Sequence, residues 1–227
     1  MLIGQTGVYV YYPPPTGDVC SNCVVIGGRE KIIIDPGLWH LWPFLEKNIQ
    51  KELPFETRDF AYVVHTHCHP DHMDAGAYLE ERYGLVQAMS REEKEFLDNG
   101  GEAIFRWMGL DPPTGTVGKY LEEGSWELAD KVLNVYLTPG HSPGGVCIHY
   151  PEKKTLIVGD LIFARGFGRV DLAGGDPSEL VRSVRRMAAL PDVDTIIPGH
   201  GPSIVGRERV EKNYEIVFKL LEENGFA

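Results

Sequence analysis

The chain reads as a series of short apolar runs separated by turn residues, with helical spacing between some of them. Over residues 6–35, β-prone runs (GVYVYY, CVVIGG, KIIID) alternate with turn residues, which predicts an antiparallel meander. LWPFLEKNIQKEL carries apolar positions at helical spacing, and Pro43 falls early enough to be accepted in a first turn. A strand at Phe60–Val64 runs directly into HTHCHPDH, and the following AGAYLEERYG predicts a helix closed by Gly84. REEKEFLDNGG predicts a charged helix ending in glycines.

The second half passes through a similar order of textures, although no sequence repeat accompanies it. KVLNVYL, GVCIHY and KTLIVG predict strands. PSELVRSVRRMAAL predicts an amphipathic helix with Pro177 and Ser178 at its start, TIIPG a short strand, and residues 206–223 a terminal helix. Strict βαβ alternation is absent, so the pattern favours an α+β fold of two packed sheets flanked by helices over a doubly wound sheet.

At 227 residues, the expectation is one domain spanning 1–227. Hydrophobic residues at 43% and charged residues at 24% exclude a disordered chain. Runs such as Lys31–Ile34 and Leu156–Val158 are strand-sized, far below the ~18 apolar residues of a membrane span. The N-terminal MLIGQTGVYVYY lacks a basic n-region and a long apolar stretch, so a soluble cytoplasmic protein without membrane association is expected. The 22 basic and 33 acidic residues leave a formal net charge of −11. No basic stripe for nucleic acid is apparent, and a small-molecule substrate is expected. Cys20, Cys23, Cys68 and Cys147 read as reduced thiols.

Chemistry concentrates in the histidines. Thr66-His67-Cys68-His69-Pro70-Asp71-His72 follows an apolar strand directly, and histidines at i and i+2 of an extended segment aim at one point. Asp71 and His72, past the turn at Pro70, can face a second point nearby. Neutral imidazole and carboxylate are ligand types that zinc, iron and manganese accept. Three further segments deliver such a group just past an apolar strand: VYLTPGHSPGG gives His141, TLIVGDLIF gives Asp160 and TIIPGHGP gives His200. Strand ends converging on one edge of a sandwich can bring all seven groups together.

In this order, SNCVVIGG, IIIDPG, THCHPDH, TPGHSPGG, VGDLIF, GFGRVDLAGGD and PGHG resemble the metallo-β-lactamase superfamily, and most of all its glyoxalase II-type thioester hydrolases in a short form. The resemblance covers roughly residues 20–202. It implies a four-layer αβ/βα sandwich, the metallo-β-lactamase fold, with two divalent metal ions at one edge: zinc first, iron or manganese also compatible. By motif position, His67, His69 and His141 would bind one ion, and Asp71, His72 and His200 the other. Asp160 would bridge them, and it stands where β-lactamases of this kind use cysteine. Asp71 would double as the catalytic acceptor of the nucleophile's proton. The implied reaction is attack of a bridging hydroxide on a thioester, as in hydroxyacylglutathione hydrolases, or on a related ester or lactone. Long-type enzymes of that branch bind glutathione through a helical extension, whereas 27 residues follow His200 here.

The rival on the same fold is a mononuclear-iron persulfide dioxygenase, which the chain resembles in THCH-x-DH and GR-x-D. Its iron would map to His67, His141 and Asp160, but the Pro198-Gly199-His200-Gly201 segment is hydrolase-like. Paired metals also serve phosphodiesterases, which the acidic balance disfavours. Asp35 matches a position that holds a ligand imidazole in orientation, while Cys20-Ser-Asn-Cys23 reads as strand packing. Cys68 is expected to project away from the metals. His65, His40 and the aromatic stretches at 39–44 and 100–118 are open between packing and the pocket, and His149 reads as surface or interior packing; Arg165 or Arg169 either holds a substrate carboxylate or pairs with Asp171.

Overall fold

The computed structural model describes residues 7–226. The first half builds one sheet. Strands β1 (Val8–Tyr11), β2 (Cys23–Ile26) and β3 (Lys31–Ile34) form the expected antiparallel meander. Helix α1 (Trp42–Glu52) carries the chain to β4 (Phe60–Val64), which pairs parallel to β3. After α2 (Pro70–Met73) and α3 (Ala75–Tyr83), strand β5 (Val86–Ser90) adds parallel to β4. Helices α4 (Arg91–Phe96) and α5 (Ala103–Trp107) precede β6 (Val117–Leu121), which completes a six-stranded sheet in chain order.

The second half builds the other sheet. Strands β7 (Gly124–Leu128), β8 (Lys131–Leu137), β9 (Val146–Tyr150) and β10 (Thr155–Gly159) run antiparallel to one another. A small hairpin of β11 (Ile162–Phe163) and β12 (Gly166–Phe167) leads to α6 (Pro177–Ala188). Strand β13 (Thr195–Pro198) then pairs parallel to β10, β14 (Ile204–Val205) closes the edge, and α7 (Arg207–Glu223) ends the fold. The order of this sheet is β14-β13-β10-β9-β8-β7.

Alternation along the strands makes the four layers. Ile32 and Ile34 point into the inter-sheet core with Val24, Ile26, Leu133, Ile148, Ile157 and Ile197. Ile33 between them faces outward with Val25, and Trp42, Leu45 and Leu79 of α1 and α3 cover that side. In the second sheet Leu156, Val158 and Ile196 face outward against Leu180, Val184, Val217 and Leu221 of α6 and α7. Both faces of the central strands are covered, which is why KIIID and TLIVG read as continuous apolar runs.

Local endings also follow the sequence. Gly84 caps α3 in the left-handed conformation (φ 75°), and the Asp176 carboxylate caps α6 by accepting from the Ser178 and Glu179 amides. The charged helix expected over residues 91–101 is broken instead: its regular part stops at Phe96, and Asn99 and Gly100 leave helical geometry. Gly100 there adopts φ 111°, which turns the chain toward α5.

Candidate metal centre

The parallel pairs β3/β4 and β10/β13 end at the same rim of the sandwich. Asp35 follows β3 and Thr66 lies just past β4, so the Asp35 carboxylate accepts from the Thr66 amide at 2.8 Å and from its hydroxyl at 2.7 Å. Asp160 follows β10, and His200 follows β13 after one glycine. A Cβ on Gly199 would overlap Asp160 Oδ1 and lie 2.6 Å from the His72 ring, so only glycine fits between these groups. His141 comes from the loop between β8 and β9, while Asp71 and His72 lie in the single turn of α2.

These placements bring all seven expected side chains together. His67 Nε2 and His141 Nε2 lie 3.1 and 2.9 Å from His69 Nδ1. His200 Nε2 lies 3.2 Å from His72 Nε2 and 3.0 Å from Asp71 Oδ2. The Asp160 carboxylate reaches both groups, with Oδ1 3.2 Å from His72 Nε2 and Oδ2 3.5 and 3.7 Å from the Nε2 atoms of His200 and His141. Donor atoms of His67, His69 and His141, of Asp71, His72 and His200, and of His67, His72 and Asp160 each cluster tightly enough to share an ion.

The hydrogen bonds behind the rings fix which nitrogen carries the lone pair. His67 Nδ1 lies 3.1 Å from the Thr66 hydroxyl, whose own proton goes to Asp35, so the ring donates from Nδ1. His72 donates from Nδ1 to Asp35 Oδ2 at 2.9 Å, and His141 from Nδ1 to the Arg169 carbonyl at 2.7 Å. Each arrangement leaves Nε2 facing the shared centre, the orientation expected of a metal-binding imidazole. Bare lone pairs about 3 Å apart repel unless a cation lies among them. Donors on a tetrahedral zinc with bonds of about 2.0–2.1 Å would be roughly 3.3 Å apart, so the spacings suit such ions.

Electrostatics agree with that donor set. Burial, reinforced by the neighbouring imidazoles, holds His67 well below the usual histidine range and takes His69 down to about 3. Both rings are therefore neutral, as ligands must be. For Asp160, burial disfavours ionisation, but His72, His200 and His141 outweigh it and the carboxyl stays ionised well below its usual value. Asp71 behaves alike: burial is overcome by His72 and by the hydrogen bond from His200. His72 is raised despite burial, because Asp160, Asp35 and Asp71 surround it. A divalent ion would take the place of that proton.

Other candidates lie elsewhere. His65 is buried under α3 and bonds Gln87 Oε1 at 2.9 Å. His149 is buried in β9, and His40 is exposed beside Asp18. Cys68 packs with Met73, Met89, Leu97 and Phe105, while Cys20 and Cys23 are buried free thiols. Arg165 lies on the tight turn between β11 and β12, at φ 63°. Of the aromatics, Trp42 and Phe105 are fully buried in the core, whereas Trp107 borders the centre. Arg169 pairs with Asp171 through two bonds of 2.7 Å.

Two supports escape a reading of motifs. Glu93, inside the charged run REEKEF, is fully buried and accepts from the amides of Cys68 (2.8 Å) and Gly144 (2.7 Å), joining the two histidine loops. Asn22 crosses between the sheets, donating to the carbonyls of Pro198 (2.9 Å) and Gly201 (2.8 Å) on either side of His200. A buried glutamate in a polar run gives no sequence signal; the capping Ser90 before it is the one hint.

His69, Asp71, His141, Asp160 and His200 form the floor of a cleft of about 430 Å³, with His67 and His72 buried beneath it. The fold and the site define a metal-site protein of the αβ/βα sandwich type. The sequence profile of the metallo-beta-lactamase superfamily matches residues 16–200, and the chain belongs to that superfamily. It is 34% identical over 187 residues to a "probable metallo-hydrolase" of Methanocaldococcus jannaschii, covering 80% of this chain and 87% of that protein. It is also 34% identical over 139 residues to a hydroxyacylglutathione hydrolase of Rhizobium meliloti, spanning 61% of this chain but only 47% of that relative. Among solved structures, one in a di-iron-bound form superposes with a TM-score of 0.71 at 32% identity, over 86% of this chain and 94% of the other.

Proposed function

We propose that this chain is a metal-dependent hydrolase acting on a thioester, with two divalent ions at the rim centre. His67, His69 and His141 would hold one ion and Asp71, His72 and His200 the other, with the Asp160 carboxylate within reach of both groups. The observation that carries the reading is the Asp160 carboxylate lying between two complete triads, with contacts of 3.2 Å and 3.5 Å on one side and 3.7 Å on the other. The hydrolase name of the M. jannaschii relative and the di-iron form of the solved one support it.

Divalent ions bound there would lower the pKa of water at the site and polarise a carbonyl oxygen. The residues do the rest. Asp71 lies on the cleft floor, ionised, where its carboxylate can hold the proton given up by the attacking water. Asp35, Thr66 and the Arg169 carbonyl keep the imidazoles turned toward the floor. Water oxygen bonds to the acyl carbon, the carbon–sulfur bond breaks and the sulfur leaves as thiolate. Little leaving-group protonation is then needed, and no second acid is required on the cleft floor. A mononuclear-iron dioxygenase would use His67, His141 and Asp160 and leave the second triad without a task.

Plasma mass spectrometry of protein purified without added metal or chelator tests the ion pair, with close to two ions per chain expected. Zinc is the expected ion and iron its competitor. One iron per chain, with oxygen uptake on a persulfide, would replace the hydrolase by the dioxygenase. No bound ion, and none regained on titration, would remove the centre altogether.

A further inference from the structure

Above its floor the cleft is largely apolar, and most of the apolar residues come from two separate elements, with Val19 of the loop before β2 beside them. Ile104 and Trp107 of α5, with Met108 just beyond it, form one wall. Phe163 and Phe167 of the β11/β12 hairpin, with Leu172 after it, form the other. The walls meet the floor directly, since the Phe163 ring lies 6.1 Å from the His200 ring in edge contact. Apart from the donor residues, Arg169 is the single charged side chain lining the cleft among the described residues. Its guanidinium is already tied to Asp171 by two hydrogen bonds.

We infer that the cleft receives an apolar thioester or ester, whose hydrocarbon portion packs between these walls while its carbonyl lies over the floor. The inference rests on the hydrolase reading above and adds the substrate class. A carrier such as glutathione brings two carboxylates, and among the described residues the one cationic side chain lining the cleft, Arg169, already pairs with Asp171. Trp107, 72% exposed, and Val19, 62% exposed, stand at the cleft as apolar surface that an apolar ligand would cover. The volume of about 430 Å³ lies near the lower end for ligand pockets, which suits a medium-length acyl chain with its thiol carrier toward solvent.

The test uses full-length, metal-loaded protein and a series of acyl thioesters of one neutral thiol, N-acetylcysteamine, from acetyl to octanoyl, beside S-lactoylglutathione. The expected result is a kcat/KM that rises about fourfold per added methylene until the cleft is filled. Trp107→Ala should raise KM for the octanoyl thioester several-fold more than for the acetyl one. Independently of turnover, titration with 2-decanone, which cannot be hydrolysed, should change tryptophan emission, and Trp107→Phe should remove most of that change. A flat series with S-lactoylglutathione preferred would overturn the apolar assignment and leave thioester hydrolysis standing. Failure of a fully loaded enzyme to cleave any thioester would overturn the hydrolase reading instead, and the ketone titration would then decide for or against the apolar cleft by itself.

Discussion

Asp35 adopts left-handed backbone geometry at φ 51°, a position that asparagine also tolerates. Its two oxygens accept from the Thr66 amide, the Thr66 hydroxyl and His72 Nδ1, so one carboxylate orients side chains of both triads. Asp35→Asn keeps the shape but replaces one acceptor oxygen with a donor. Affinity for the second ion should fall about 10- to 100-fold in chelator competition, with the circular dichroism unchanged. Wild-type affinity for both ions would show that Asp35 is only a turn residue. At this scale the sequence is unusually legible, because histidine and aspartate carry their chemistry in the side chain and stand beside strand ends. The Arg169 contribution is not legible: the group that orients His141 is a backbone carbonyl, which every residue possesses.

Elements carry the ligands, and Glu93 joins two of their loops. Replacing it with alanine leaves the Cys68 and Gly144 amides buried without their acceptor, at a cost of roughly 1–3 kcal/mol each. Glu93→Ala should therefore lower unfolding stability by about 2–6 kcal/mol in urea titration. A loss below about 0.5 kcal/mol, the range of ordinary surface substitutions, would mean that the loops hold their positions without it. Strands such as Phe60–Val64 are readable from their apolar runs, and Gly84 and Pro43 mark helix ends by their backbone preferences. Strand β5 is not readable, since VQAMS places polar Gln87 and Ser90 at buried positions. They are satisfied by His65 and Glu80 in one case and by the Gly144 carbonyl in the other. The β11, β12 and β14 strands are two residues each, too short for any period.

Over the whole molecule, the two-sheet sandwich is legible because strands covered on both faces read as continuous apolar runs. The pairing order is not, since parallel neighbours such as β10 and β13 are separated by a hairpin and a helix. Two divalent ions bound only by the folded state would stabilise it by mass action, about 4 kcal/mol for an ion at a thousandfold excess over its Kd. Calorimetry should accordingly find a melting temperature higher by on the order of 10 °C in metal-loaded than in chelator-stripped protein. Equal melting temperatures would mean that the centre holds no ion tightly. Across the same rim, Asn22 of the first sheet grips the His200 loop of the second.

That division of the sheets along the chain bears on synthesis. The first half supplies His67 and His69 to one triad and Asp71 and His72 to the other, and His141, Asp160 and His200 all belong to the second half. A nascent polypeptide emerging from the ribosome thus holds two donors of each triad and completes neither until its later portion has docked. Ion capture at either triad would then come late in biogenesis, after the two halves have found each other.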